Sequence, residues 1–200
     1  YLDRFMKSRI EDKQLDYTGS ELKGKTIGII GFGAGGKKVA EFCRAFDMNV
    51  LVNSRHAAVQ PDNSVKIADF DNLVSVSDIV TVHASLNPQT KHMIDKIVFK
   101  KMKKTALFIN TARGGIVNEN DLIAALKDKE ISGACLDVFE SEPLSIDNEL
   151  RNLSNVILTP HTAGMPDGVK FHKKRYEFFV NNIKHIENGE EPESKLNQLS

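Results

Sequence analysis

Ile29-Ile30-Gly31-Phe32-Gly33-Ala34-Gly35-Gly36 is the stretch on which the fold turns. It follows a short apolar run, residues 26–30, and precedes a helical pattern over 37–46. Gly31, Gly33 and Gly36 fit the spacing GxGxxG. The first glycine permits a tight turn. The second, lacking a Cβ, lets a pyrophosphate reach backbone N–H groups, and the third lets the helix pack close to the strand. The helix N-terminus beyond offers N–H donors and partial positive charge to an anion. The spacing alone also describes a ligand-free glycine-rich turn. The strand before it and the helix after it favour a dinucleotide loop, with Ala34 and Gly35 completing the cradle.

Outward from this loop, short apolar runs alternate with helical patterns. The runs cover 26–30, 50–52, 79–82, 106–109, 133–138 and 156–158. They are unalternating and rich in β-branched residues, as strands buried on both faces should be. Helical patterns cover 37–46, the neighbourhood of Leu73, 94–102 and 121–127. The last opens on Asn118 as N-cap with Asp121 three residues on. Strand and helix alternating at this pitch predict an α/β fold: a Rossmann-type doubly wound parallel sheet with helices on both faces. The core of this one dinucleotide-binding domain is expected at about 20–165. Residues 1–15 read as helical, and 166–188 as one long helix whose Tyr176, Phe179, Ile183 and Ile186 share a face.

Composition sets outer bounds. The 200 residues are 40% hydrophobic and 27% charged, ordinary for a globular protein. Lys+Arg and Asp+Glu are 27 each, so nothing favours nucleic acid or an anionic membrane as partner. The lysine clusters at 100–104 and 173–175 read as solvated helix faces. Cys43 and Cys135 form no CxxC pair, so no metal site is expected and a cytoplasmic, reducing location is. No apolar run is long enough to span a bilayer, and no signal peptide is visible. The chain opens on Tyr1, which suggests a piece of a longer one.

A dinucleotide loop calls for a carboxylate about 20 residues on, to bind the adenosine ribose of NAD. The second strand instead ends in Asn53-Ser54-Arg55-His56. Ser54 is uncharged, and Arg55 can bind a 2′-phosphate through two charge-assisted hydrogen bonds. NAD or NADP can be accepted, with a slight lean to NADP. The competing reading is that Arg55 only caps the loop.

Three further segments follow strands, where a doubly wound sheet places its ligands. They are Asn110-Thr111-Ala112-Arg113-Gly114-Gly115, Leu136-Asp137-Val138-Phe139-Glu140-Ser141-Glu142-Pro143, and Thr159-Pro160-His161-Thr162-Ala163-Gly164. Singly, Arg113 could be a solvated arginine, Glu142 a surface acid and His161 an ordinary loop histidine. Together they supply a cation, an acid and a base at the same end of one sheet.

With these motifs in order, the chain from about residue 20 to 190 resembles the D-isomer-specific 2-hydroxyacid dehydrogenases, among them phosphoglycerate dehydrogenase and glyoxylate/hydroxypyruvate reductase. The resemblance implies hydride transfer between NAD(P)(H) and a 2-hydroxy or 2-keto acid. It assigns Arg113 to the substrate carboxylate and keto oxygen, His161 to acid–base work, and Glu142 to hydrogen bonding with His161. Asp137 would bind the nicotinamide carboxamide. The backbone around Thr111, Ala112, Ala163 and Gly164 would lie along the cofactor. A homodimer is implied. So is a second, substrate-binding domain, absent here, to which the end helices lead.

The chain departs from the pattern at Gly35, where the family usually has isoleucine, and at Ser54. Corepressors resembling these enzymes keep similar residues, so a dinucleotide-sensing binding protein is the alternative. Glu142 speaks against the related formate dehydrogenases, which are expected to pair their histidine with glutamine.

Overall fold

In a computed structural model the described residues are 20–54, 65–164 and 169–193. The elements run β1 (Thr26–Ile30), α1 (Ala34–Ala45), β2 (Asn49–Asn53), β3 (Lys66–Ile67), α2 (Phe70–Val76), β4 (Ile79–Val82), α3 (Lys96–Lys101), β5 (Leu107–Asn110), α4 (Glu119–Lys127), β6 (Gly133–Leu136), β7 (Val156–Leu158) and α5 (Val169–Glu187). Contacts divide the chain into two compact units, Tyr1–Pro160 and His161–Ser200. The sheet and α1 to α4 belong to the first, α5 to the second.

All seven strands pair in parallel, in the order β3-β2-β1-β4-β5-β6-β7. This is the expected Rossmann-type α/β sheet. Its strand order reverses between β1 and β4, leaving a crevice beyond their C-terminal ends.

Strand pleating explains why the runs lack alternation. Side chains of β1 and β2 point to opposite faces in turn, yet both faces are covered. Ile27, Ile29, Val50 and Val52 join Ala40 of α1 in one core cluster, while Ile30 joins a second and larger one. That larger cluster holds Leu73 and Val74 of α2, Val98 and Phe99 of α3, and Leu122, Ala125 and Leu126 of α4. Phe99 and Phe108 meet edge to face there, with centroids 5.4 Å apart and planes at 87°.

Several boundaries differ from the sequence reading. α1 begins at Ala34, so Gly35 and Gly36 lie in its first turn despite glycine's poor helix propensity. α3 starts after Asp95, whose carboxylate accepts from the Ile97 and Val98 N–H groups. Ile94, expected inside that helix, instead bridges Val117. Asn118 caps α4 as expected, accepting from Asp121 N–H at 3.2 Å. The Asp121 carboxylate does not return the bond; it accepts from Lys96 N–H. β6 ends at Leu136 rather than 138, and the two-residue edge strand β3 was not anticipated. The expected helix at 1–15 lies outside the described residues. In the second unit α5 forms the long helix, with Tyr176, Phe179, Ile183 and Ile186 exposed. No described helix is long and apolar enough to cross a membrane.

Candidate functional site

The site starts from two close approaches. Gly31 sits at φ +95°, and a Cβ there would lie 2.5 Å from Ala84 N. Only glycine fits that turn. A Cβ on Gly36 would lie 2.2 Å from the Gly31 carbonyl oxygen, so the helix start is pressed onto the strand end. Gly33 is different: nothing lies within 4 Å of where its Cβ would be. Gly33 is also the N-cap of α1. No side chain caps this end, and the first turn carries no acid. The loop therefore presents open space in front of helical N–H donors, the setting that suits a diphosphate.

Beside this loop lies an open cleft of about 570 Å³, lined by Gly35, His83, Ala84, Ser85, Leu86, Thr111, Ala112 and Arg113. Its size falls in the range of small-molecule sites. It occupies the crevice that the reversal of strand order leaves beyond β1, β4 and β5. Thr111, Ala112, Arg113 and Gly35 were expected here. His83, Ala84, Ser85 and Leu86 were not, although His83 follows a strand just as Arg113 does. The His83 ring has its Nε2 3.1 Å from the Thr81 hydroxyl, and a Cβ on Gly35 would lie 3.5 Å from its Nδ1. Burial lowers its pKa, favouring the neutral ring.

Arg113 stands exposed on the cleft wall, its Nη1 donating to Ala112 O at 2.6 Å. Asn110 holds the turn behind it. Its side chain donates to Arg113 O and accepts from Ala112 N–H. Gly114 then packs against the next loop, where a Cβ would come within 1.9 Å of the Phe139 carbonyl carbon. That approach brings the segment carrying Arg113 alongside the one carrying Asp137 and Glu142.

Asp137 is buried at 3% exposure, and its Oδ1 accepts from the Thr159 hydroxyl at 2.5 Å. Glu142 is exposed, and its Oε1 accepts from Phe139 N–H at 3.0 Å. The same loop is tied outward by Glu140. Its Oε1 meets His92 Nε2 at 2.6 Å, and its N–H donates to Glu119. His92, Glu140 and Glu119 were absent from the sequence reading, because contacts spanning 21 to 48 residues leave no local pattern.

Ser54 directly follows β2 and is half-buried. Arg55 and His56 lie outside the described residues. His161, exposed and at φ +54°, opens the second unit together with Ala163 and Gly164. Among the described residues no group of histidine, cysteine and acidic side chains could hold a metal ion.

Residues 1–163 match the family described as D-isomer specific 2-hydroxyacid dehydrogenase, NAD binding domain. The chain belongs to the D-isomer specific 2-hydroxyacid dehydrogenase family. A Staphylococcus saprophyticus protein bearing the provisional name 2-hydroxyacid dehydrogenase is 49% identical over 149 residues, covering 74% of this chain and 46% of that protein. The chain thus spans about half the length of the curated relatives it matches. Among solved structures it resembles the NAD-complexed D-isomer specific 2-hydroxyacid dehydrogenase of Lactobacillus delbrueckii ssp. bulgaricus. The TM-score is 0.86 at 29% identity, covering 98% of this chain and 64% of that one. It also resembles the NADPH-dependent glyoxylate/hydroxypyruvate reductase of Sinorhizobium meliloti, solved with NADP and sulfate. There the TM-score is 0.84 at 27% identity, covering 95% and 61%.

Proposed function

We propose that the protein carrying this chain moves a hydride between NAD(P)(H) and a D-2-hydroxy acid or its 2-keto acid. The observation that carries the reading is one cleft. A glycine loop open at Gly33 forms one side of it, and the exposed Arg113 stands on the other. The nicotinamide supplies hydride chemistry when bound.

Gly31, Gly33, Ala34, Gly35 and Gly36 hold the diphosphate at the α1 N-terminus. Ser54, Arg55 and His56 receive the adenosine ribose; with no acid there, NADP(H) is preferred. The backbone at Thr111, Ala112, Ala163 and Gly164 lies along the cofactor, and Asp137 meets the nicotinamide carboxamide. The planar Arg113 fork holds the substrate carboxylate and polarises the keto oxygen. His161 protonates that oxygen during reduction and takes the hydroxyl proton during oxidation. Glu142 hydrogen-bonds the imidazole and fixes its orientation.

The remaining half of the relatives' length supplies a substrate domain, so the isolated chain binds dinucleotide but turns over poorly. Pairing of two copies completes the assembly.

A panel of 2-keto acids assayed with NADH and NADPH on the full-length protein tests the reading. Arg113→Ala and His161→Ala should each lower kcat/KM by about a thousandfold, roughly 4 kcal/mol. A dinucleotide that binds with no turnover on any acid would favour a dinucleotide-sensing protein instead.

A further inference from the structure

Gly35 and His83 form a pairing that the proposed mechanism leaves unused. A Cβ on Gly35 would stand 3.5 Å from His83 Nδ1, in ordinary van der Waals contact. With no side chain at 35, nothing on that residue screens the ring nitrogen from the glycine loop. The isoleucine expected at this position would cover it. His83 also lines the cleft directly, next to Arg113.

We propose that His83 is a further cofactor-contacting residue, its Nδ1–H donating to the dinucleotide diphosphate, and that the ring takes up a proton as the diphosphate arrives. The inference rests on the dinucleotide reading above. The ring is held so that this can happen: Nε2 is fixed by Thr81, whose hydroxyl serves as donor to the neutral ring or acceptor from the protonated one. Residues 31–36 and 84–86 carry no titratable side chain. Lys37 and Lys38 follow on α1, Arg113 lines the cleft, and the Asp137 carboxylate is engaged by Thr159. No acid in the described cleft therefore competes to charge the ring, and burial favours its neutral form beforehand. A diphosphate a few ångströms away reverses that balance, since a close opposite charge favours the imidazolium.

The sign follows. Binding that takes up a proton is tighter at low pH and weakens as pH rises through the bound-state pKa. NADH is the probe, because it lacks the titrating 2′-phosphate of NADPH. NADH affinity of the full-length protein should fall about three- to ten-fold between roughly pH 6 and pH 8. Calorimetry in buffers of different ionisation enthalpy should show fractional proton uptake near neutrality. His83→Gln should flatten the profile and remove that uptake, separating this ring from His56 and His161. Gly35→Ala, which places a methyl over Nδ1 without a clash, should reduce both. Uptake that is absent, or unchanged in His83→Gln and Gly35→Ala, overturns the inference and leaves the dehydrogenase reading standing. No binding of either NADH or NADPH at any pH overturns both.

Discussion

Gly114 and Phe139 touch backbone to backbone: a Cβ on the glycine would fall 1.9 Å from the phenylalanine carbonyl carbon and oxygen. No side-chain rotation relieves such a contact, because the obstructing atoms are main chain. Gly114→Ala should therefore lower stability by about 3 kcal/mol, read from the midpoint of urea unfolding. It should also push the loop of Arg113 away from that of Glu142, so that 2-keto acid turnover falls more than NADH binding does. A variant with wild-type stability and turnover would show that the contact gives way cheaply.

Asp78 joins the start of β4 to the start of β1. Its Oδ2 accepts from Thr26 N–H at 2.8 Å and its Oδ1 pairs with Lys103 at 2.9 Å. The Thr26 hydrogen bond, then Lys103, hold its carboxyl below the usual range. A depressed folded-state pKa contributes stability above the unfolded value, near pH 4, and loses it as pH falls through the folded one. Asp78→Asn should cost about 1 kcal/mol at pH 7, the side chain being partly solvated. Once the pH has fallen through the lowered folded-state pKa, the difference from wild type should vanish in thermal unfolding.

Phe99 has no solvent exposure and meets the edge of Phe108. Phe99→Ala opens a cavity between α3 and the sheet and should cost about 3–5 kcal/mol. That is a large share of a typical domain's stability, measurable by chemical denaturation.

Ser54 directly follows β2, where the proposed function puts the adenosine ribose and where an acid would favour NAD. The wild-type protein should bind NADPH more tightly than NADH. Ser54→Asp should weaken NADPH by about tenfold or more through repulsion of its 2′-phosphate while sparing NADH. Dissociation constants from nicotinamide fluorescence decide it, and a wild-type preference for NADH defeats the lean to NADP.

The sheet was legible because its runs are buried on both faces. Ile27, Ile29 and Ile30 point both ways into apolar clusters, so each strand reads as unbroken hydrophobicity. β3 was not, since two exposed residues at a sheet edge carry no such signal. The sequence predicts α1 to begin late because Gly35 and Gly36 oppose helix locally, while packing of Gly36 against Gly31 overrides that preference. Among candidate site residues, Arg113 announced itself by standing just past a strand. His83 stands in the same relation to β4, but no longer motif surrounds it to mark it in the sequence. The Glu140 ties to His92 and Glu119 arise only when the chain folds back on itself.

Gly31, locked against His83 and Ala84, has a thermodynamic consequence for anything that docks there. The turn is set when the chain folds, as part of the contact between two neighbouring strand ends. An incoming ligand then meets donors already aimed, and it is spared the conformational entropy of arranging them.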